Sequence, residues 1–319
     1  MNKTRKQIIA GNEVSKLYTF TLGGVPQKVL IEGKQKDLPV VITLHGGPGS
    51  PTPFSVGCRG LFPQFTDRFI MVYWDQLGCG INNCKLKDKY SVSDFVRMTN
   101  DLIAEIKNLF SGNRIILFGM SWGSVLALRC SQNADAVVVW GQILRNLFLN
   151  DIVYDALEKG GLPAAKLSRI KTVTADNFTD RDMMFISGSI KKYTDGYTNK
   201  NGKTAPVGSI IKGLLTSPDY RFRDFKAIMV NGTASSTRLW PELLKIDLTD
   251  ELANVQIPYY ILQGDTDIVT PTEFVINAVE TSGNKHLRLR TIEHSGHMPG
   301  ADGMQAVFDS LVSASRIQE

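Results

Sequence analysis

Five short, nearly continuous apolar runs, Val40 to Leu44, Phe69 to Trp74, Ile115 to Phe118, Ala136 to Trp140 and Tyr259 to Leu262, constrain this chain more than any other feature. Successive side chains of a strand point to opposite faces, so a strand that is apolar at every position needs cover on both, as in a parallel sheet flanked by helices. The intervening segments supply that cover. Val92, Phe95, Val96, Thr99, Leu102, Ile103, Ile106 and Leu109 recur at three- and four-residue steps behind the capping-box pattern Ser91-x-x-Asp94, which predicts an amphipathic helix. A second helix is expected from Trp122 to about Ser131, and a last one carries Met304, Val307, Phe308 and Leu311 on one stripe. Strand and helix in alternation predict an α/β fold with a mostly parallel central sheet. Ahead of it, Leu17 to Leu22 and Gln27 to Glu32, separated by Gly23-Gly24-Val25-Pro26, read as an antiparallel hairpin.

The alternation lapses between Gly141 and Trp240, where Gly, Ser, Thr, Asn and Asp interrupt short helical pieces such as Ile152 to Glu158, and it resumes at Ile257 to Gln263. Residues 1–140 and 241–319 are therefore expected to build one sheet-centred domain, with 141–240 inserted between two of its strands as a mainly helical cap. The length of 319 residues accommodates that division. No apolar run approaches the roughly 20 residues that cross a bilayer, and the N-terminus lacks the apolar stretch of a secretory signal. Cys58, Cys79, Cys84 and Cys130 show no C-x-x-C spacing, so they are expected to be reduced thiols of a cytoplasmic protein without a metal site. A formal net charge of +5 is spread along the chain rather than gathered into a basic face, which argues against nucleic acid as a partner.

The chemistry concentrates at Gly119-Met120-Ser121-Trp122-Gly123, directly after the strand Ile115 to Phe118 and directly before a helix-forming run. A serine on so tight a strand-to-helix turn needs small residues two positions to either side, and its hydroxyl then projects at the C-terminal edge of the sheet, near the positive end of the helix. A serine hydroxyl is a poor nucleophile at neutral pH, so a histidine and an orienting carboxylate should follow. The chain has four histidines, His45, His286, His294 and His297. His45 precedes the serine in a glycine-rich loop, and His286 lies at the far end of the strand Leu287 to Ile292. His294 and His297 both follow that strand; Gly296 favours a loop that aims His297 inward, leaving His294 as a loop residue. The acid should leave from the end of Tyr259 to Gln263, where Asp265 and Asp267 both qualify. Asp267, further into the loop, is preferred, and Asp265 is close enough to the strand end to brace a turn. The order Ser121, Asp267, His297 is that of α/β-hydrolases.

Stabilising a developing oxyanion takes two backbone N–H donors. Trp122, directly after the serine, should supply one. The loop His45-Gly46-Gly47-Pro48-Gly49 after the first apolar run should supply the other, from Gly46 or Gly47. Such chemistry requires no cofactor and no metal.

Taken together, His45 to Gly49 as HGGPG, Tyr73 to Gly80 as YWDQLGCG, Gly119 to Leu128 as GMSWGSVLAL and Gly264 to Pro271 as GDTDIVTP resemble the proline iminopeptidase group of α/β-hydrolases. The resemblance implies the triad Ser121, Asp267 and His297, and an aminopeptidase that releases an N-terminal residue, often proline, from small peptides. Two departures bear on the substrate: Leu77 stands where the group usually has arginine, and Ile268 follows the triad acid where members that bind a free α-amine use acidic side chains. Asp151, Asp155, Glu158 and Glu242 are the remaining candidates for an amine partner. A carboxylate in the cap pocket would favour the aminopeptidase; its absence would favour a carboxylesterase or amidase acting on a small acyl substrate. A binding protein that has lost catalysis is the alternative of another class, and the presence of all three triad members and both oxyanion segments argues against it.

Overall fold

The computed structural model describes residues 1–84, 86, 90–203, 207–228 and 239–316. In chain order its first half comprises α1 (Lys3–Gly11), β1 (Val14–Leu22), β2 (Val25–Gly33), β3 (Val40–Leu44), α2 (Pro63–Thr66), β4 (Ile70–Tyr73), α3 (Val92–Leu109), β5 (Ile115–Met120), α4 (Trp122–Arg129) and β6 (Ala136–Trp140). Next come α5 (Asp151–Lys159), α6 (Ala164–Lys171), α7 (Asp180–Tyr193), α8 (Val207–Leu215), α9 (Phe222–Lys226), α10 (Trp240–Leu243) and α11 (Thr249–Ala253). The chain closes with β7 (Tyr259–Gly264), α12 (Thr272–Ser282), β8 (Leu287–Ile292) and α13 (Ala301–Ser315).

The strands form one sheet in the order β1-β2-β4-β3-β5-β6-β7-β8. β3 to β8 run parallel, and β2 pairs antiparallel with both β1 and β4. The five apolar runs supply β3, β4, β5, β6 and β7, and every residue of those strands is buried. Alternate residues face opposite cores: Ile42 joins Phe95, Leu102 and Val275 beneath α3 and α12, whereas Val41 joins Val307 and Leu311 beneath α13. Ser91 and Asp94 close the expected capping box at the start of α3. The helix after Ser121 is shorter than its sequence suggests, ending at Arg129 before a 3₁₀ turn at Ser131–Asn133.

The hairpin turn is also tighter than the sequence suggests. Gly23 and Gly24, at φ 59° and 79°, form the whole loop, the two-residue geometry that matches strand twist and requires positive φ at both positions. Val25 and Pro26 therefore belong to β2. Pro26 is opposite Thr21 and outside the stretch Leu30–Glu32 that pairs with β4, so its missing N–H costs no ladder bond there.

Residues 141–258 carry α5 to α11 from β6 to β7. Polar contacts tie the α8–α9 portion to the sheet's loops. Arg59 pairs with Asp219 in a two-pronged contact at 2.7 and 2.8 Å, and the Tyr220 hydroxyl donates to the fully buried Asp75. From α1, the buried Arg5 guanidinium donates to the carbonyls of Gly57, Arg59 and Gly213.

Candidate active site

Ser121 occupies the turn between β5 and α4 at φ 49° and ψ −115°, a backbone conformation strained for any L side chain. Its N–H donates to the Trp140 carbonyl at 2.9 Å, and its own carbonyl accepts from Ser124 N–H at 2.7 Å. The flanking glycines are steric necessities. A Cβ on Gly123 would lie 1.8 Å from the Leu44 carbonyl oxygen, and one on Gly119 would lie 2.5 Å from the Gly123 carbonyl oxygen.

His297 and Asp267 converge on that serine. His297 Nε2 is 3.0 Å from Ser121 Oγ, and Nδ1 is 2.9 Å from Asp267 Oδ2. Asp267 sits in the turn after β7 as the acceptor for four donors. Val269 N–H and Thr270 N–H reach Oδ1 at 2.8 and 3.0 Å, while the Thr270 hydroxyl, at 2.7 Å, shares Oδ2 with the histidine. A carboxylate so occupied is left to accept the Nδ1 proton, which frees the Nε2 lone pair for the serine hydroxyl. The imidazole is fixed through its backbone as well: His297 N–H donates to the Gly196 carbonyl at 3.0 Å, and Trp140 Nε1 donates to the His297 carbonyl at 2.8 Å.

The competing candidates fall elsewhere. Asp265 braces the turn after β8, its two oxygens accepting from His294 N–H and Ser295 N–H at 3.0 and 2.9 Å. His294, at φ 53°, borders a separate depression with Lys203 and Arg290. His286 lies before β8, where its carbonyl accepts from Tyr259 N–H. His45 is buried in the loop after β3, and burial pushes its imidazole down to about 4.

Gly46 and Gly47 border the same cavity as Ser121. A Cβ on Gly46 would lie 3.5 Å from Ser121 Cβ, and Gly47 adopts φ 113°, a value open to glycine. Trp122 is the first residue of α4, so its backbone N–H has no intrahelical acceptor and stands directly beside the serine.

The cavity measures about 470 Å³. Met120, Trp140, Phe148, Trp240 and Val269 form much of its apolar wall, and Met183, Met184, Ser187 and Lys191 bring α7 to it. Apart from His297, Lys191 is the one ionisable basic group among the described lining residues, and no carboxylate is among them. Lys191 Nζ lies 4.1 Å from the centroid of the Tyr197 ring, another wall residue. Asp151, Asp155, Glu158 and Glu242 are exposed and do not reach the cavity; Glu242 instead accepts from Val92 N–H at the start of α3. Leu77 is buried in the core shared with α3 and α4. Ile268 packs against Gly196, where an added Cβ would meet its side chain at 2.3 Å. The α7 residues are the part of the site that motif reasoning does not reach, whereas Thr270 and Gln76 lie inside two of the quoted blocks without a role that the sequence assigns.

A mostly parallel sheet carrying a serine on a strained strand-to-helix turn, with a histidine and an aspartate returned to it from later strands, defines the α/β-hydrolase class. This chain belongs to the alpha/beta hydrolase family, whose sequence profile matches residues 41–310, and it is a hydrolase. It is 23% identical over 298 residues to the probable aminopeptidase YbaC of Bacillus subtilis, an alignment covering 88% of this chain and 90% of that protein. Over 112 residues it is 38% identical to the proline iminopeptidase of Neisseria gonorrhoeae, covering 34% of this chain and 33% of the relative. The crystal structure of VinJ superposes with a TM-score of 0.62 at 18% identity, covering 93% of this chain and 97% of that one, a likeness of fold. Among the described residues, no helix is long and apolar enough to cross a membrane.

Proposed function

We propose that the protein is a serine hydrolase in which Ser121 attacks the carbonyl of an ester or amide whose acyl group is apolar and carries no free amine. The observation that carries this reading is the unbroken hydrogen-bonded chain Asp267–His297–Ser121, at 2.9 and 3.0 Å, opening on an apolar cavity. As Ser121 Oγ bonds to the carbonyl carbon, His297 Nε2 takes its proton and Asp267 stabilises the resulting imidazolium. The negative charge gathering on the carbonyl oxygen is met by Trp122 N–H and by an N–H of Gly46 or Gly47, each such donor being worth about 2.7–4 kcal/mol in the transition state. His297 then returns the proton to the leaving group, and water releases the acyl chain by the same steps in reverse. The helices of residues 141–240 act as a cap, with α7 closing the acyl pocket.

The cavity's charge supports the choice of substrate. An ammonium brought out of water needs a carboxylate partner, and this wall supplies the like charge of Lys191 instead. Release of an N-terminal residue, proline included, is a second reading, favoured by relatives named as an aminopeptidase and a proline iminopeptidase. Initial rates on 4-nitrophenyl butyrate and on proline 4-nitroanilide, for the native protein and Ser121→Ala, test both. Ester cleavage that falls at least about 10³-fold in the variant supports the first reading. Efficient Ser121-dependent anilide cleavage, lost when the proline nitrogen is acylated, would replace it with the second; hydrolysis that survives Ser121→Ala would refute the serine mechanism.

A further inference from the structure

We infer that Gln76 is the positioning residue that holds the two halves of the oxyanion site in register, an inference that rests on the Ser121 mechanism above. Those halves belong to different loops. Trp122 follows β5 and the Gly46–Gly47 peptide follows β3, while Gln76 follows β4 and reaches across both along the strand order β4-β3-β5. Its side chain is 1% exposed and makes one contact to each half: Oε1 accepts from Trp122 Nε1–H at 2.8 Å, and Nε2 donates to the His45 carbonyl at 3.3 Å. An indole N–H can only donate and a carbonyl can only accept, so the carboxamide has one workable orientation.

The backbone of Gln76 extends the contact. Its N–H donates to His45 Nε2 at 3.0 Å, and the Cys79 thiol approaches the same nitrogen at 3.4 Å. With Nε2 accepting, the ring proton of His45 is on Nδ1, where it donates to the Gly46 carbonyl at 2.8 Å. Ser50 N–H holds that carbonyl too, at 3.1 Å. The peptide joining Gly46 to Gly47 is trans, so its N–H points opposite to its carbonyl. Fixing the Gly46 carbonyl therefore also fixes the direction of the Gly47 N–H, one of the two candidates for the second donor. Burial keeps the His45 ring neutral above about pH 4.

The carboxamide is chemically particular here. Gln76→Glu sets a carboxylate oxygen against the His45 carbonyl, and Gln76→Met leaves both the Trp122 indole N–H and the His45 carbonyl without a partner. Both variants, Trp122→Phe and Ser121→Ala are compared by kcat and KM on 4-nitrophenyl butyrate. Affinity is measured in parallel for an alkyl trifluoromethyl ketone, which forms a tetrahedral oxyanion, and for butan-1-ol, which has neither a carbonyl nor a charge to place in the oxyanion site. The expected result for the Gln76 variants is a kcat loss of about 10–100-fold with KM within about twofold, a matching loss of trifluoromethyl ketone affinity, and unchanged butan-1-ol affinity. Trp122→Phe removes the 2.8 Å contact from its other end and should give a smaller loss of the same pattern; it carries the test if the Gln76 variants fail to fold. Wild-type kcat in folded Gln76 variants, or a loss confined to KM, would overturn the inference while Ser121→Ala remained inactive. An active Ser121→Ala would instead remove the mechanism on which it rests.

Discussion

Replacing Asp267 with asparagine, the most conservative change available at that position, should be as damaging as removing the side chain. The reason lies in where the donors are. Oδ1 of Asp267 is met by two backbone N–H groups, from Val269 and Thr270, that cannot turn away. An asparagine must present its carbonyl oxygen to them, which leaves its NH₂ facing Thr270 and His297 Nδ1. A donor at that point is compatible only with the imidazole tautomer whose proton is on Nε2, and an Nε2 that already carries a proton cannot accept one from Ser121 Oγ at 3.0 Å. The expected loss is about 10⁴ in kcat, or about 5.4 kcal/mol at 1.36 kcal/mol per decade. Asp267→Ala leaves the tautomers free to exchange, so Asp267→Asn should fall at or below it. The assay is kcat on 4-nitrophenyl butyrate for both variants, with near-UV circular dichroism confirming the fold. Activity of Asp267→Asn within tenfold of the native protein, or well above that of Asp267→Ala, would refute the donor arrangement and the role given to Asp267.

Glu32 is fully buried, accepts Gly60 N–H on both oxygens at 3.0 Å, and is pushed up from 4.5 to about 7 by burial. The folded state thus binds this proton more tightly than the unfolded chain, so its contribution falls as pH rises from about 4.5 to about 7, by on the order of 3 kcal/mol. Glu32→Gln keeps an acceptor for Gly60 and cannot titrate; urea unfolding should show its stability relative to the native protein improving between pH 5 and pH 8, and an unchanged difference would contradict the assignment. Gly123→Ala should cost about 4 kcal/mol or prevent folding, because the new methyl meets the Leu44 carbonyl oxygen of the neighbouring strand at 1.8 Å. Gly112→Ala, which meets nothing within 4 Å, is the control, and thermal melts of the pair decide the matter.

The sheet is legible in the sequence because its central strands are covered on both faces and so read as unbroken apolar runs; β8, whose pattern alternates with exposed Arg290, would not have announced itself that way. Ser121, Asp267 and His297 are legible for a related reason, since each lies in the loop or turn that follows a strand, at the same sheet edge. Gln76 follows a strand too, β4, but a glutamine there gives no sign of a role. What distinguishes it is the crossover that sets β5 beside β3, an adjacency absent from chain order, which brings the loop after β5 within reach of the loop after β4. The substrate wall is the least legible part. Met183, Met184 and Lys191 share α7 with residues that pack internally, and only the placement of that helix over Ser121 separates a wall residue from a core residue.

That placement also ties specificity to catalysis. The loop bearing His297 pairs with the stretch just after α7: His297 N–H donates to the Gly196 carbonyl, and Met298 N–H to the Tyr197 carbonyl at 2.9 Å. Gly296 permits the approach, since a Cβ there would lie 2.8 Å from the Asp195 carbonyl oxygen. His297 is thus held from below by the donor-rich turn around Asp267 and from above by the backbone that leaves α7. Side-chain changes on the cavity face of α7, such as at Met183 or Lys191, alter the acyl pocket and should act mainly on KM. A displacement of residues 195–197 moves the imidazole itself, and a shift of even 1 Å at the reacting atoms can cost about 10²-fold in rate. The α7 wall of the cavity and the clamp on His297 are therefore consecutive parts of one strand of backbone, so under the proposed mechanism substrate range should change by side-chain replacement within α7 far more readily than by remodelling the segment that follows it.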